Sequence, residues 1–386
     1  AALCGELAGA VAIEDLTAPA GDPAPVPAPD GAPAYAQFTS GSTGTPRAVV
    51  VTRASLAANC AAIVDGLGLD GARDTGVCWL PLHHDMGLVG FVCTPLPAGV
   101  PVVFVPTPVF VRDPGIWMRT VAKYRGTITY GPSFAYGLAA RRVPAAEVAA
   151  LDLSCLRVLG CGAEPVHAPT LERFARAYAP AGLRPEAFTP SYGLAEATLA
   201  VSLGHGLRTR DGVVHCGQPI AGHEVSIVDG EIWVRGASVA AGYLDDPASD
   251  TFRPDGWLRT GDLGYLHEGG LYVTGRRKDV LIVRGVNTDP HRVEWAAAAV
   301  PGVRPSGVVA FTRPGAGTEE VVLVVECAPA VPSTVEDLVR AAVVEPLGLA
   351  VADVVRVPPG TIPKTTSGKP RRQETRRRYL AGELSR

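Results

Sequence analysis

The sequence predicts an α/β fold in which a large N-terminal α/β domain with mixed sheets precedes a small C-terminal α+β domain. Three observations carry this. Apolar runs of strand length alternate with helix-length segments from residue 35 to about residue 277, the pattern of an α/β layout. Residues 225–228 and 231–234 flank Asp229-Gly230, a two-residue hairpin signal that turns part of the sheet antiparallel. Beyond residue 278, two strands and a helix fit a compact unit of about a hundred residues.

Taken in order, residues 1–34 read as an N-terminal segment and linker. An Ala/Leu-rich stretch ends at Leu16, and residues 18–33 are rich in Pro, Ala, Gly and Asp, the composition of an extended connection. The core domain is expected over residues 35–277, with strands at 77–82, 100–105, 127–130 and 156–159. Residues 170–178 predict a helix, because Leu171, Phe174 and Tyr178 share a face while Glu172, Arg173 and Arg176 point elsewhere. Residues 278–386 form the second unit, with strands at 308–311 and 321–326 and a helix near 335–343. No internal repeat is present.

Composition narrows the class of function. With 47% hydrophobic and 19% charged residues in 386, the chain reads as an ordinary globular protein. A net charge of −3 gives no global reason to expect nucleic acid as a partner. No apolar run has the length of a membrane span, and the signature of a signal peptide is missing, so the cytoplasm is the expected location. The eight cysteines show no C-x-x-C pair and no zinc spacing, and read as small buried apolar residues.

The chemistry concentrates in a few stretches. Thr39, Ser40, Gly41, Ser42, Thr43 and Gly44, followed by Arg47, combine flexible backbone, hydroxyls and a cation, a combination suited to a polyphosphate. The order is not that of a Walker A loop, and alone it reads equally as a surface turn. Far downstream, Lys369 follows Ser367-Gly368 in a second glycine-hinged loop. Between them lie Ser191-Tyr192-Gly193 with Glu196, Thr260-Gly261-Asp262, and Gly275-Arg276-Arg277-Lys278. His84 and Asp85 follow the predicted strand 77–82 at its carboxyl end, where open α/β sheets place ligand sites.

This order resembles the superfamily of acyl- and aryl-CoA synthetases, peptide-synthetase adenylation domains and luciferases. Within it the likeness is to fatty acyl-AMP ligases, because Trp79-Leu80-Pro81-Leu82-His83-His84-Asp85-Met86-Gly87-Leu88 looks like their His-Asp-Met-Gly motif. Gly131-Pro132-Ser133-Phe134-Ala135-Tyr136 and Gly162-Ala163-Glu164-Pro165-Val166 support it, and the likeness runs from about Tyr35 to Tyr379. By resemblance the small domain is a mobile lid, and the chain is expected to lack the family's N-terminal portion.

The resemblance implies roles for single residues. The Thr39 to Gly44 loop with Arg47 would hold phosphates, and Tyr192, between Ser191 and Gly193, would stack on adenine whose other face meets Gly162, Ala163, Glu164 and Pro165. Asp262 would accept from the ribose hydroxyls, Arg276 would contact the nucleotide, and Glu196 would bind Mg2+. Lys369 would bridge the carboxylate and α-phosphate, His84 would sit beside that carboxylate with Asp85, and Lys278 would be the hinge. Gly131, Phe134 and Tyr136 would line an acyl tunnel, though core packing explains those aromatics as well. Arg371, Arg372, Arg376, Arg377 and Arg378 read as a solvated helix face or as a docking patch for an acidic carrier.

The implied reaction is ATP- and Mg2+-dependent conversion of a fatty carboxylic acid to acyl-AMP, with transfer to the phosphopantetheine thiol of an acyl carrier protein. A CoA ligase using free coenzyme A is the alternative. It stays open because only the short segment 201–214 separates Glu196 from Gly217-Gln218-Pro219, a region usually much longer in fatty acyl-AMP ligases. A nucleotide-binding remnant without turnover is a second alternative.

Overall fold

The computed structural model describes residues 28–39, 47–246, 248–283, 286–315, 319–328, 331–332, 334–365 and 368–384. Residues 1–27 of the expected linker, and Ser40, Gly41, Ser42, Thr43 and Gly44 of the phosphate loop, lie outside them.

Strands β1 (Pro33–Thr39) and β2 (Arg47–Thr52) pair antiparallel. Pro33, expected in the linker, is the first residue of β1. Thr52 then caps the helix Arg53–Leu67 through a capping box, its Oγ1 accepting from the Ser55 N–H at 3.0 Å while Ser55 Oγ accepts from the Thr52 N–H at 3.0 Å.

The main sheet uses β3 (Gly76–Cys78), β4 (Val102–Phe104), β5 (Ile128–Gly131), β6 (Val158–Cys161), β7 (Phe188–Gly193) and β8 (Ala200–Leu203). After a small hairpin, β9 (Thr209–Arg210) and β10 (Val213–Val214), β11 (Gln218–Pro219) completes it. The order is β11-β8-β7-β6-β5-β3-β4. β7, β6, β5, β3 and β4 run parallel, and β8 and β11 add antiparallel. β3 and β6 are buried along their whole length, as parallel strands covered on both faces must be. The predicted strand 77–82 stops after Cys78. From Trp79 the chain leaves the sheet, and residues 81–84 turn ahead of a short helix at Asp85–Leu88.

Aromatic packing fills the space beside this sheet. Trp117 meets Tyr136 edge-on with centroids 5.1 Å apart, and Tyr136 meets Phe174 at 5.1 Å and 90°. Phe174, Leu171 and Tyr178 are all buried, the face that periodicity predicts for the helix Ala168–Tyr178. Gly160 is required here, since a Cβ on it would stand 2.0 Å from the Tyr130 ring.

An antiparallel sheet follows, with β12 (His223–Val228), β13 (Glu231–Gly236), β14 (Leu258–His267) and β15 (Gly270–Arg276) in sequential order. Asp229 at φ 50° and Gly230 at φ 77° join the first two, the pair of positive φ values that a type I′ turn demands. The remainder holds β16 (Leu281–Val283), β17 (Val286–Thr288), the helix Pro290–Ala298, β18 (Val303–Pro314), β19 (Glu319–Cys327), the helix Val335–Leu347 and β20 (Val351–Val357). β18 pairs antiparallel and β20 parallel with β19. Val293, Val308, Leu323 and Val339 belong to a core of their own, separate from that of the main sheet. No helix among the described residues is long and apolar enough to cross a membrane.

Candidate active site

The parallel strands β3, β5, β6 and β7 deliver four of the sequence motifs to one edge of the sheet. Just past their carboxyl ends come His83 to Asp85, Phe134, Gly162 to Pro165 and Glu196, and all of these line one cleft of about 1990 Å³. This is the edge where open α/β sheets bind ligands. The antiparallel sheet contributes Asp262 and Arg276 to the same cleft, and the C-terminal unit closes it with His291, Trp295 and Lys369. His167 and Trp295 stack across the junction with centroids 4.3 Å apart.

Lys369 reaches across that junction. Its ammonium donates to the Ala163 carbonyl, on a residue held at φ 69°, the left-handed region that a non-glycine residue occupies at a cost. Burial pushes the ammonium below its ordinary pKa, against the pull of Glu164 and Asp85. Burial raises the carboxyls of Asp85 and Glu164 in turn. Their backbone donors are few: the Met86 N–H reaches Asp85 at 2.7 Å, and the Phe134 N–H reaches Glu164 at 3.1 Å. His84 is held down at about 4 by burial, then by the charge on Lys369, so it is a neutral imidazole at neutral pH. Lysine, histidine and two under-supplied carboxylates in one cleft form the kind of perturbed cluster that marks chemistry.

Asp262 and Arg276 are cross-strand partners in the β14–β15 register. Arg276 Nε donates to Asp262 Oδ1 at 2.8 Å, and the Tyr192 hydroxyl donates to Oδ2 at 2.8 Å. A carboxylate offers about four lone-pair directions, so Asp262 keeps acceptor capacity toward the cleft. Ser191 and Gly193 line it beside Tyr192, and Ser191 Oγ lies 3.2 Å from the Tyr130 hydroxyl. Thr39 and Arg47 line the cleft from the β1–β2 side.

Glu196 accepts from the Tyr243 hydroxyl at 2.7 Å, and the Arg47 guanidinium lies 4.0 Å above the Tyr243 ring. No group of three or more His, Cys, Asp or Glu that could hold a metal occurs among the described residues. Glu196 is a hard oxygen donor on the cleft wall, able to give one carboxylate oxygen to a cation carried by a phosphorylated ligand. Lys278 lines the cleft within the turn Arg277–Asp279.

Three expectations need correction. Tyr136 does not line the cleft: it is fully buried among Trp117, Phe174 and Phe188, and its hydroxyl donates to the Gly160 carbonyl. Gly131 sits under Trp117 and Trp79, which a Cβ would meet at 3.1 and 3.2 Å. Arg372 is no solvated residue but a buried anchor, bonded to Glu294 at 2.9 Å; Arg376 likewise donates to the Thr312 carbonyl at 2.8 Å. Arg377 and Arg378 do face outward, paired with Glu374.

Tyr243, Gln37 and Glu294 escape sequence reasoning. Gln37 donates to the His83 carbonyl at 3.0 Å, steadying the loop before His84. Each acts through a partner 16 to 78 positions away, so no local spacing announces it. The lining of the cleft also includes Ile63, Leu67, Phe91, Ile128, Leu199 and Leu203, all apolar.

Residues 5–244 match the AMP-binding enzyme family, and the chain belongs to that family. A putative acyl-CoA synthetase of Caulobacter vibrioides is 37% identical over 424 residues, covering 97% of this chain and 73% of that protein. The medium-chain-fatty-acid–[acyl-carrier-protein] ligase JamA of Moorena producens is 36% identical, covering 91% of this chain and 68% of that protein. A solved structure from work on fatty acyl-adenylate ligases of E. coli and L. pneumophila superposes with a TM-score of 0.87 at 36% identity, over 95% of this chain and 74% of that one. The Caulobacter alignment is longer than the 386 residues here, so that relative holds internal residues with no counterpart in this chain.

Proposed function

We propose that this chain activates a fatty carboxylic acid with ATP to give acyl-AMP, and passes the acyl group to the phosphopantetheine thiol of an acyl carrier protein. The observation that carries it is the convergence of Lys369 with Asp85, Glu164, Asp262 and a neutral His84 in one cleft. The carrier-protein ligase among its relatives supports the acceptor.

In the first step a carboxylate oxygen attacks the α-phosphorus and the bond to the β-phosphate bridge oxygen breaks, so pyrophosphate leaves. Lys369 supplies positive charge where the pentavalent transition state gathers negative charge. Asp262 takes the ribose hydroxyls, with Arg276 also on the nucleotide. Tyr192, with Ser191 and Gly193, and the segment of Gly162, Ala163, Glu164 and Pro165 flank the adenine. Thr39 and Arg47, with Ser40, Gly41, Ser42, Thr43 and Gly44, receive the leaving phosphates. Glu196 would hold Mg2+, which when bound spreads phosphate charge. His84 and Asp85 face the carboxylate, Phe134 stands by, and the apolar part of the cleft lining takes the alkyl tail. In the second step the thiol sulfur attacks the acyl carbonyl, the bond to AMP breaks, AMP leaves and the thiol proton passes to solvent. Residues 35–277 act as the adenylation core and 278–386 as the mobile domain, turning about Lys278 between the two steps.

The test is ATP–pyrophosphate exchange across a panel of acids, followed by loading of a carrier protein against free coenzyme A. Fatty acids driving exchange, with carrier loading only, is the expected result. Exchange with efficient use of coenzyme A would favour the CoA ligase reading, which the short 201–214 segment also supports. Nucleotide binding without exchange for any acid would leave a remnant.

A further inference from the structure

Two residues of one short core segment meet the C-terminal unit. Ala163 takes the Lys369 ammonium on its carbonyl, and four positions on, His167 stacks on Trp295 with centroids 4.3 Å apart and the rings 29° from parallel. His167 is itself fixed on the core side. Its N–H donates to Ser133 Oγ at 3.2 Å, and its Nδ1 lies 2.8 Å from Thr170 Oγ1. Burial, then the charge of Arg173, hold the imidazole at about 4, so a neutral ring meets the indole at neutral pH.

On the other side, Trp295 is tied to the lysine loop through its neighbour. It stands on the helix Pro290–Ala298, where Glu294 pairs with Arg372 at 2.9 Å and accepts from the Ala310 N–H at 2.9 Å. Glu294 and Arg372 are both buried, and Arg372 lies three positions past Lys369. A buried ion pair resists displacement, because moving either partner leaves a charge unpaired. The helix and the Lys369 loop therefore move as one piece. Contacts close a ring from Ala163 through Lys369, Arg372, Glu294, Trp295 and His167, back to the core segment where it began. Lysine has a flexible four-carbon stem, so its one hydrogen bond fixes the C-terminal unit poorly. Two stacked rings fix both the distance and the tilt of the helix that carries one of them.

We propose that Trp295 and His167 are a positioning pair for Lys369, their stack holding the C-terminal unit in the pose from which Lys369 serves acyl-AMP formation and parting before that unit turns for acyl transfer. This rests on the two-step reaction proposed above. The pair acts through how often Lys369 is in place, so it favours the first step at the expense of the second.

The test separates the two half-reactions in single-turnover assays, using the acid that best drives pyrophosphate exchange. Trp295→Ala should slow acyl-AMP formation about three- to tenfold, the scale of one aromatic pair, with half-saturation by ATP little changed. Transfer from supplied acyl-AMP should be no slower, which also reports folding. Trp295→Phe keeps a ring against His167 and should restore most of the rate. In a Lys369→Ala background, Trp295→Ala should add no further loss, because nothing is left for it to position. Unchanged acyl-AMP formation in Trp295→Ala overturns the pair. So does an equal loss in both half-reactions, or a loss of full size in the Lys369→Ala background, since Trp295 would then act on the fold or on the substrate itself. A wild type that forms no acyl-AMP from any acid overturns the reaction proposed above, and the pair with it.

Discussion

Asp74 and Glu164 are both withdrawn from solvent, yet the fold treats them in opposite ways. Asp74, with a fully buried side chain, receives Arg157 Nε at 2.7 Å and Nη2 at 2.6 Å, the Thr127 hydroxyl at 2.9 Å and the Asp70 N–H at 2.9 Å. Burial alone would raise its pKa, but these donors outweigh it and bring the carboxyl down to about 2. Glu164 receives the Phe134 N–H, with Lys369 and His291 as nearby charges, and burial wins. The lesson is that the supply of donors, set against the cost of burial, separates a carboxylate that holds the fold from one kept for a ligand.

The largest expected effect breaks the first of the pair. Asp74→Ala leaves Arg157 without its buried partner, a change that costs about 3–5 kcal/mol. Urea unfolding should show that loss, whereas Glu164→Gln should leave stability within about 1 kcal/mol of wild type and instead reduce acyl-AMP formation. A stable Asp74→Ala protein would mean that the bidentate pair is not what holds the fold at this point.

Next in size is Lys369→Ala, expected to slow acyl-AMP formation about 10²- to 10³-fold, the range for removing one pre-positioned stabiliser of developing charge. Transfer from supplied acyl-AMP should survive far better. Single-turnover assays of the two half-reactions make the comparison, and equal losses in both would remove Lys369 from the first step.

The pH dependence of stability should divide the two carboxylates as well. The folded pKa of Asp74 lies at about 2, below its ordinary 3.8, so its contribution is present above pH 4 and is lost as pH falls through about 2. Linkage sets that contribution at about 2 kcal/mol. Glu164 has the opposite sign: with its folded pKa raised, its contribution is present at low pH and disappears as pH rises through the folded value. Denaturant midpoints measured from pH 2 to 7 should therefore lose most of their acid-limb slope in Asp74→Asn and keep it in Glu164→Gln. The reverse pattern would invert the assignment.

The sequence shows the parallel sheet and the motifs at its edge because strands, glycines and charged residues leave local patterns. Asp229-Gly230 and the helix Ala168–Tyr178 are of that kind. Tyr136 misleads because a Gly-flanked aromatic looks alike in a tunnel and in a core, and only the contacts with Trp117 and Phe174 decide. Arg372 misleads for the same reason: in a run of arginines nothing marks the one that meets Glu294, 78 positions earlier. Pairings over such distances are made by topology, which single-residue chemistry does not encode.

The smallest expected effect concerns a residue of that hidden kind. Tyr243 donates to Glu196 and carries Arg47 on its ring, so it fixes the carboxylate proposed for Mg2+ without standing in the phosphate path. Tyr243→Phe keeps the ring and the cation–π contact, and removes the hydroxyl alone. A hydrogen bond to a charged group is worth about 1.5–3 kcal/mol, and only the part spent on aiming the carboxylate reaches the cation, so the Mg2+ concentration for half-maximal pyrophosphate exchange should shift about two- to tenfold, with little change in the response to ATP at saturating Mg2+. A direction is not fixed by burial alone: a freed oxygen is a better ligand, while a carboxylate released from its donor is less well aimed. Alignment should dominate, because the Tyr243 hydroxyl is what orients the Glu196 carboxylate proposed for the cation. The shift is therefore expected toward higher Mg2+. If the titration curves coincide while Glu196→Gln displaces them strongly, Tyr243 serves Arg47 rather than the metal carboxylate.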